Sequence, residues 1–307
     1  MPPSLPNQRW QFADVPTKDI AAVAKVTGLP ELLARVLVDR GIDTPERALV
    51  HLDPERQELL PPEEAFDDLG KSVDLLVEAI ENEEKIAICG DYDADGMTST
   101  ALLLRALRAL GADIDYAIPS RMHEGYGINT RIVEEFAAAG VGVILTVDNG
   151  IAAHEAVRRA VELGLTVIIT DHHDLPELLP PADAILNPKL LPSASPYACL
   201  AGVGVAYILA IATAEALQVP PGLRANVLDL FTLGTIADLA PLQGINRQWL
   251  RRGLAHLPQS QLPGIQALIA SSGVKDKDIK PEDIGFRLGP RINAIGRIGE
   301  PQVVIEL

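Results

Sequence analysis

The chain has 307 residues and a formal net charge of −16, with hydrophobic residues at 48% and aromatic residues at only 4%. This length suffices for two modest domains or one large α/β domain with an appendage, and the core must be built from Ala, Val, Ile and Leu rather than from rings. The acidity excludes a protein that holds nucleic acid by bulk positive charge, unless carboxylates carry divalent cations or basic residues cluster locally. Two distant cysteines, Cys89 and Cys199, form no paired framework and no metal-type spacing, which points to a reducing cytoplasm. The N-terminal stretch lacks the basic-then-apolar order of a secretory signal. An uncharged run from Leu190 to Ala214 is interrupted by Pro192, Pro196, Gly202 and Gly204, so it predicts a buried helix and no membrane span.

In chain order, residues 1–70 predict a charged helical lead-in. LPELLARVLVDRG has helical periodicity with Gly41 as its stop, and LVHLDPERQELLPPEEAFDDLG carries the Pro and acid breaks of a connecting segment. From Lys71 the pattern changes to alternating helices and short apolar strands. KSVDLLVEAIENEE is an amphipathic helix, KIAICGD a strand, and MTSTALLLRALRALG a helix closed by Gly111. ADIDYAIP follows as a strand, RIVEEFAAAG as a helix, VGVILTVD as a strand, AAHEAVRRAVELG as a helix, LTVIITD as a strand, and DAILNP as a further strand. This βαβ rhythm predicts an α/β fold with a parallel sheet and flanking helices. Beyond Leu200 the chain is mostly helical, through AGVGVAYILAIATAEAL, LRANVLDLFTLGTIADLA, NRQWLRRGLAHL and PGIQALIASSG. The resulting division is 1–70, 71–245 and 246–307, the last being a helical connector and the start of a second domain.

Three predicted strands end in acids. Asp91, Asp93 and Asp95 follow KIAICG, Asp148 closes VGVILTV, and Asp171 with His172 and His173 closes LTVIIT. Ligand sites of open parallel sheets lie beyond the carboxyl ends of the strands, so these stretches converge on one crevice. Carboxylates with imidazole and without thiolate suit Mn²⁺ or Mg²⁺, and two such ions can clamp both oxygens of a phosphoryl displacement. Taken singly, DYDADG also reads as a turn or a calcium loop, although the twelfth loop position lacks the Glu that an EF-hand needs. DNG also reads as a plain turn. Asp238, ending the GTIADLAPL helix pattern, reads either as a solvated acid or as a further metal ligand.

CGDYDADGMTS, TVDNGI, TDHHDLP and GTIADLAPL, in this order, resemble the four motifs of the DHH phosphoesterase family. GDYDADG, IPSRMHEGYGIN and FRLGPRINAIGR are similar to its RecJ branch, and the resemblance runs from about Ile20 to the last residue. The resemblance implies a 5′-to-3′ exonuclease that hydrolyses single-stranded DNA in repair and recombination, using two divalent ions. It also implies a single-stranded-DNA-binding protein and a helicase as partners. Under it, Asp91, Asp93, Asp95, Asp148, His172 and Asp238 hold metal, with Asp148 bridging the two ions. His173 faces the scissile phosphate, and Asp171 serves as a structural or orienting acid. Arg121, His123 and Tyr126 contact substrate. The late segment Arg287, Arg291, Asn293 and Arg297 has no acid between Asp283 and Glu300, and glycines with arginines suit a phosphate cradle. Arg247, Arg251 and Arg252 read as an ordinary helix face. The low aromatic content favours a narrow channel over stacking platforms for single strands. Family members continue into a second cleft domain (DHHA1) and an OB-type domain, absent here, so the expectation is a fragment or a shortened member. Two alternatives remain: a related phosphodiesterase of short oligonucleotides or small phosphates, and an inactive nucleic-acid-binding scaffold.

Overall fold

A computed structural model of the chain describes residues 14–119, 125–219, 223–274 and 278–306, with 223–226 described for the backbone only. It contains two compact units, Met1–Glu58 and Leu59–Leu307. In the first, helices α1 (Thr17–Thr27), α2 (Glu31–Asp39) and α3 (Pro45–Leu52) close around Ile20, Val23, Ala34, Leu37, Val38 and Ala48. Helix α3 runs through LVHL, which the sequence pattern assigns to a connection. Its Thr44 N-cap accepts from Arg47 N–H and Pro45 sits at the first helical position, so the helix starts before the breaks that follow it.

The second unit begins at Leu59 rather than near residue 70. The carbonyl of Leu60 accepts from Tyr197 Oη–H at 2.6 Å, and Phe66 is buried against the same core, so the stretch before α5 already belongs to it. After α4 (Pro62–Ala65) and α5 (Leu69–Glu81), five strands alternate with helices: β1 (Lys85–Cys89), α6 (Ala94–Ala109), β2 (Ile114–Ala117), α7 (Thr130–Ala138), β3 (Val141–Val147), α8 (His154–Glu162), β4 (Thr166–Thr170) and β5 (Ala184–Leu186). Every strand pair is parallel, and the order is β2-β1-β3-β4-β5. The chain leaves β1 in one direction and returns to its other side as β3, so the switch point lies between those two strands.

The strands are apolar on both faces, as a sheet covered by helices on each side requires. Val143, Leu145 and Val147 of β3 join the large core with α5 and α6, while Ile144 faces the cluster of Ile132, Val133 and Phe136 on α7 and Val157 on α8. This alternation is the period-two geometry of a strand. Helix α9 (Gly202–Ala216) is apolar on every face and lies buried between α5, α6, α10 (Leu223–Ala237) and the sheet. Among the described residues no helix is long and apolar enough to cross a membrane. Helices α11 (Gly244–His256), α12 (Pro263–Ser272), α13 (Pro281–Asp283), a π-turn at Ile284–Leu288, α14 (Gly289–Ile298) and α15 (Gln302–Glu306) complete the unit.

Candidate metal centre at the switch point

The loop after β1 turns into α6 at Asp93, whose Oδ1 accepts from Asp95 N–H at 2.9 Å and Gly96 N–H at 3.0 Å as an N-cap. The next acid, Asp95, is buried and faces the start of α9. Its Oδ2 accepts from Gly202 N–H at 2.7 Å and its Oδ1 from Val203 N–H at 2.9 Å. A carboxylate there meets the positive end of the helix dipole. The approach depends on glycine: a Cβ on Gly202 would lie 2.8 Å from Asp148 Cβ and 3.0 Å from Asp95 Oδ2. Gly202 is a site residue that its motif-poor surroundings conceal. The available signal was a glycine opening a helix that is otherwise apolar all round.

Asp148 follows β3 with φ 59°, a left-handed conformation that a non-glycine residue adopts at a cost of order 1 kcal/mol or more. Asp171 and His172 follow β4, the neighbouring strand. His172 Nε2 lies 3.0 Å from Asp148 Oδ1 and 3.6 Å from Asp95 Oδ2, while its Nδ1 lies 4.0 Å from Asp238 Oδ2. Asp238, just past the end of α10, thus completes the ring from the helical side. Among the described residues there are three sets whose donor atoms lie within 4.8 Å of one another inside each set: Asp91, Asp93 and Asp148; Asp95, His172 and Asp238; and Asp148, His172 and His173. Asp148 and His172 each belong to two sets, so the sets are contiguous.

These residues fit divalent cations on three grounds. Ligands about 2.1 Å from a hard ion lie about 3–4 Å apart, the range of the separations around His172. Asp91 Oδ1 and Asp148 Oδ1 are buried without a hydrogen-bond partner, and the latter faces His172 Nε2 without hydrogen-bond geometry. Finally, burial and then neighbouring carboxylates push the acids up: Asp91, beside Asp93, to about 7, Asp238, also beside Asp93, to about 6, and both Asp95 and Asp148 well above the ordinary range. Burial pulls His172 down to about 4, leaving a neutral imidazole with a lone pair to offer. Acids that resist ionisation and a histidine that resists protonation together need positive charge from elsewhere.

Asp171 behaves differently. Its oxygens accept from Ile151 N–H (2.9 Å), His172 N–H (2.7 Å) and His173 N–H (3.1 Å), and Oδ1 lies 2.7 Å from His173 Nδ1. Burial opposes ionisation here, but these hydrogen bonds prevail and hold Asp171 below the usual carboxylate range. In return the Asp171 bond raises His173, whose ring is half-exposed on the open side of the centre. Tyr126 Oη–H donates to the Asp148 carbonyl at 2.7 Å and lies 3.2 Å from His173 Nε2, which brings the sequence-predicted substrate residue Tyr126 to the rim. Arg121 and His123 lie outside the described residues.

The late basic segment is helical, within the stretch 246–307 expected to be a helical connector. Its glycines serve close packing: a Cβ on Gly296 would lie 1.9 Å from the Tyr92 carbonyl oxygen, and one on Gly289 would lie 2.9 Å from Ala237 Cβ. Asn293 Oδ1 accepts from Ala94 N–H at 2.7 Å, so this residue supports the loop that carries Asp93 and Asp95. Arg287 pairs with Asp283 at 3.6 Å, Arg291 donates to the Arg287 carbonyl, and Arg287, Arg291 and Arg297 are exposed. Asn149, absent from the sequence-predicted site, follows Asp148 directly and is fully buried.

An all-parallel sheet with acids and imidazole gathered across its switch point defines an α/β protein with a centre for hard divalent cations. Residues 85–235 match the model of the DHH family, N-terminal domain, and the chain belongs to that family. It is 40% identical over 291 residues to the single-stranded-DNA-specific exonuclease RecJ of Salmonella typhimurium, covering 91% of this chain and 49% of that protein. It is also similar to a crystal structure of exonuclease RecJ bound to manganese, with TM-score 0.73, 40% identity, and coverage of 81% of this chain and 62% of the other. A third likeness is to RecJ of Thermus thermophilus in complex with Mn²⁺, with TM-score 0.80, 35% identity, and coverage of 97% and 42%. The chain thus spans about half the length of the curated relatives it matches.

Proposed function

We propose that this chain is the catalytic core of a metal-dependent exonuclease that hydrolyses phosphodiester bonds of single-stranded DNA in the 5′-to-3′ direction, in DNA repair and recombination. One observation carries the reading: donor sets from β1, β3, β4 and the end of α10 meet around the shared Asp148 and His172. The relatives named as single-stranded-DNA-specific exonucleases, and the relative solved with Mn²⁺, support the substrate and the metal.

In this reading Asp91, Asp93 and Asp148 would hold one divalent ion and Asp95, His172 and Asp238 another, with Asp148 and His172 belonging to adjoining donor sets. Bound Mn²⁺ or Mg²⁺ supplies charge neutralisation at the phosphate and activation of water. The protein's own groups do the rest. Asp171 fixes His173 through Nδ1 and favours its protonated form, so the other ring edge presents positive charge to a phosphate oxygen. Tyr126 borders the same opening, and Arg291 and Arg297 attract the strand's phosphates to a chain that is otherwise acidic. The buried bonds of Asp95 to the start of α9 hold its carboxylate still when no substrate is present. A single-stranded-DNA-binding protein and a helicase would supply the strand. The two free cysteines suit a reducing cytoplasm.

The test is purified protein with Mn²⁺ and end-labelled single strand, duplex and dinucleotide. Mononucleotides released from the single strand alone, starting at the 5′ end, are expected. Cleavage of the dinucleotide alone would replace this reading with a small-phosphate enzyme, and inactivity on all three would leave a scaffold.

A further inference from the structure

We propose that Asn149 is a positioning residue that locks the Tyr126 loop to the ends of β1 and β3, so that the substrate rim and the metal ligands hold one geometry. This deepens the proposed function and rests on it. The Asn149 side chain is fully buried, and its three hydrogen bonds go to three different segments. Its Nδ2 donates to the carbonyl of Cys89 at 3.0 Å and to that of Val147 at 2.9 Å. These are the last residues of β1 and β3, where the chain leaves the sheet toward Asp91 and into Asp148. Its Oδ1 accepts from Ile128 N–H at 3.0 Å. One amide therefore spaces the two acid-bearing strand ends and ties a third segment to them.

The tie to the loop is double. Asp148, in its left-handed conformation, turns its carbonyl to accept from Tyr126 Oη–H at 2.7 Å, while the next residue accepts from Ile128 N–H. Both ends of the stretch 126–128 are pinned to Asp148 and Asn149, the two residues that follow β3. Gly127 between them, at φ 68°, lies so close that a Cβ would come within 3.0 Å of Asn149 Cβ and Oδ1. A plain turn-forming Asn would need one local bond. Here the bonds reach 21 and 60 residues along the sequence. Asp would lose both donors and add a charge beside Asp148, Ser would lose the reach, and Gln would be one methylene too long.

The experiment compares Asn149→Ala, Tyr126→Phe and the double variant in three measurements. These are amide exchange over residues 125–129 in metal-free protein, Mn²⁺ affinity by electron paramagnetic resonance, and KM against kcat on a single-stranded oligonucleotide. Asn149→Ala should speed exchange at Ile128 and raise KM by about 10- to 100-fold, the range for removing an orienting partner. Mn²⁺ affinity should fall less than KM rises. The double variant should be little worse than Asn149→Ala, because both substitutions open the same junction. If Asn149→Ala merely lowers the melting temperature, leaving loop exchange and KM as in the parent, the assignment is overturned. Should Asn149→Ala fail to fold, Gly127→Ala replaces it: the added Cβ pushes the loop off while the Cys89 and Val147 bonds persist. It should raise KM with unchanged Mn²⁺ affinity, and an unchanged KM would again overturn the assignment. A parent protein inactive on DNA would defeat the proposed function, yet the exchange measurement would still decide the role of Asn149.

Discussion

The ends of β3 and β4 carry one aspartate each, both buried, on neighbouring strands, and the two are opposites. Asp171 accepts three backbone N–H groups and pairs with His173, and these bonds lower it against the opposing effect of burial. Asp148 has a buried oxygen with no hydrogen bond, and burial and then Asp95 raise it. The difference lies in what each loop presents. After β4 the backbone curls its N–H groups back onto the acid, whereas after β3 the left-handed turn at Asp148 exposes the carboxylate to other acids. Asp171, held by its hydrogen bonds, is architecture, whereas the open oxygen of Asp148, set among other acids, is free for a cation.

The sharpest way to break this contrast is Asp148→Asn, which keeps shape and suits the left-handed turn. Hydrolysis with saturating Mn²⁺ should fall by about 10³-fold or more, because a shared ligand is lost. The metal-free protein should melt no lower than the parent. Near-parental turnover would remove Asp148 from the centre. Asp171→Ala should do the reverse. Losing several hydrogen bonds to a buried charge should destabilise the fold by about 3 kcal/mol, read by urea unfolding. An unchanged midpoint would refute the architectural role.

Metal and pH probe the same contrast collectively. Asp91 and Asp238, raised to about 7 and about 6, keep protons in the folded state that the unfolded chain releases near pH 4, and Asp95 and Asp148 shift in the same direction. Stability of the metal-free protein from these groups is therefore present below about pH 4 and lost as pH rises toward 7. His172, lowered to about 4, acts in the opposite sense between about 4 and 6.5, against the four acids and against His173, which its bond to Asp171 raises. Chelator-treated protein should melt lower at pH 7.5 than at pH 5. One Mn²⁺ concentration, about 100 times the Kd at pH 7.5, should add about 2.7 kcal/mol at pH 7.5 and less at pH 5, with the larger gain in melting temperature at pH 7.5. A larger gain at pH 5 would contradict this. The smallest expected effect is that of Gly296→Ala, whose Cβ meets the Tyr92 carbonyl and should lift α14 from the β1 loop. About tenfold lower kcat/KM is expected from a misplacement of this kind, and parental kinetics would show that α14 does not support the centre.

Much of this was legible in the chain. Alternating apolar runs and helical periods predicted the parallel sheet because a strand covered on both faces must be apolar throughout, and acids closing three such runs stood out against that pattern. DHH after LTVIIT pointed to a site for the same reason. The roles of Asn149, Gly202 and Gly296 were not legible. Each acts through a neighbour distant in sequence, as Asn149 does on Cys89 and Gly202 on Asp148. In the late segment the packing role of the glycines was not legible either, because only the approach of Tyr92 and Ala237 in the folded chain shows what Gly296 and Gly289 allow.

Residue order alone was enough to establish the sheet, its helical cover and the acids at the strand ends, since hydrophobic period and strand termination are local properties. Which acid stays satisfied and which lies open could not be read that way. Asp148 and Asp171 look alike in sequence, and their difference arises from where backbone N–H groups and other carboxylates come to rest once β1, β3, β4, α9 and α10 have packed together.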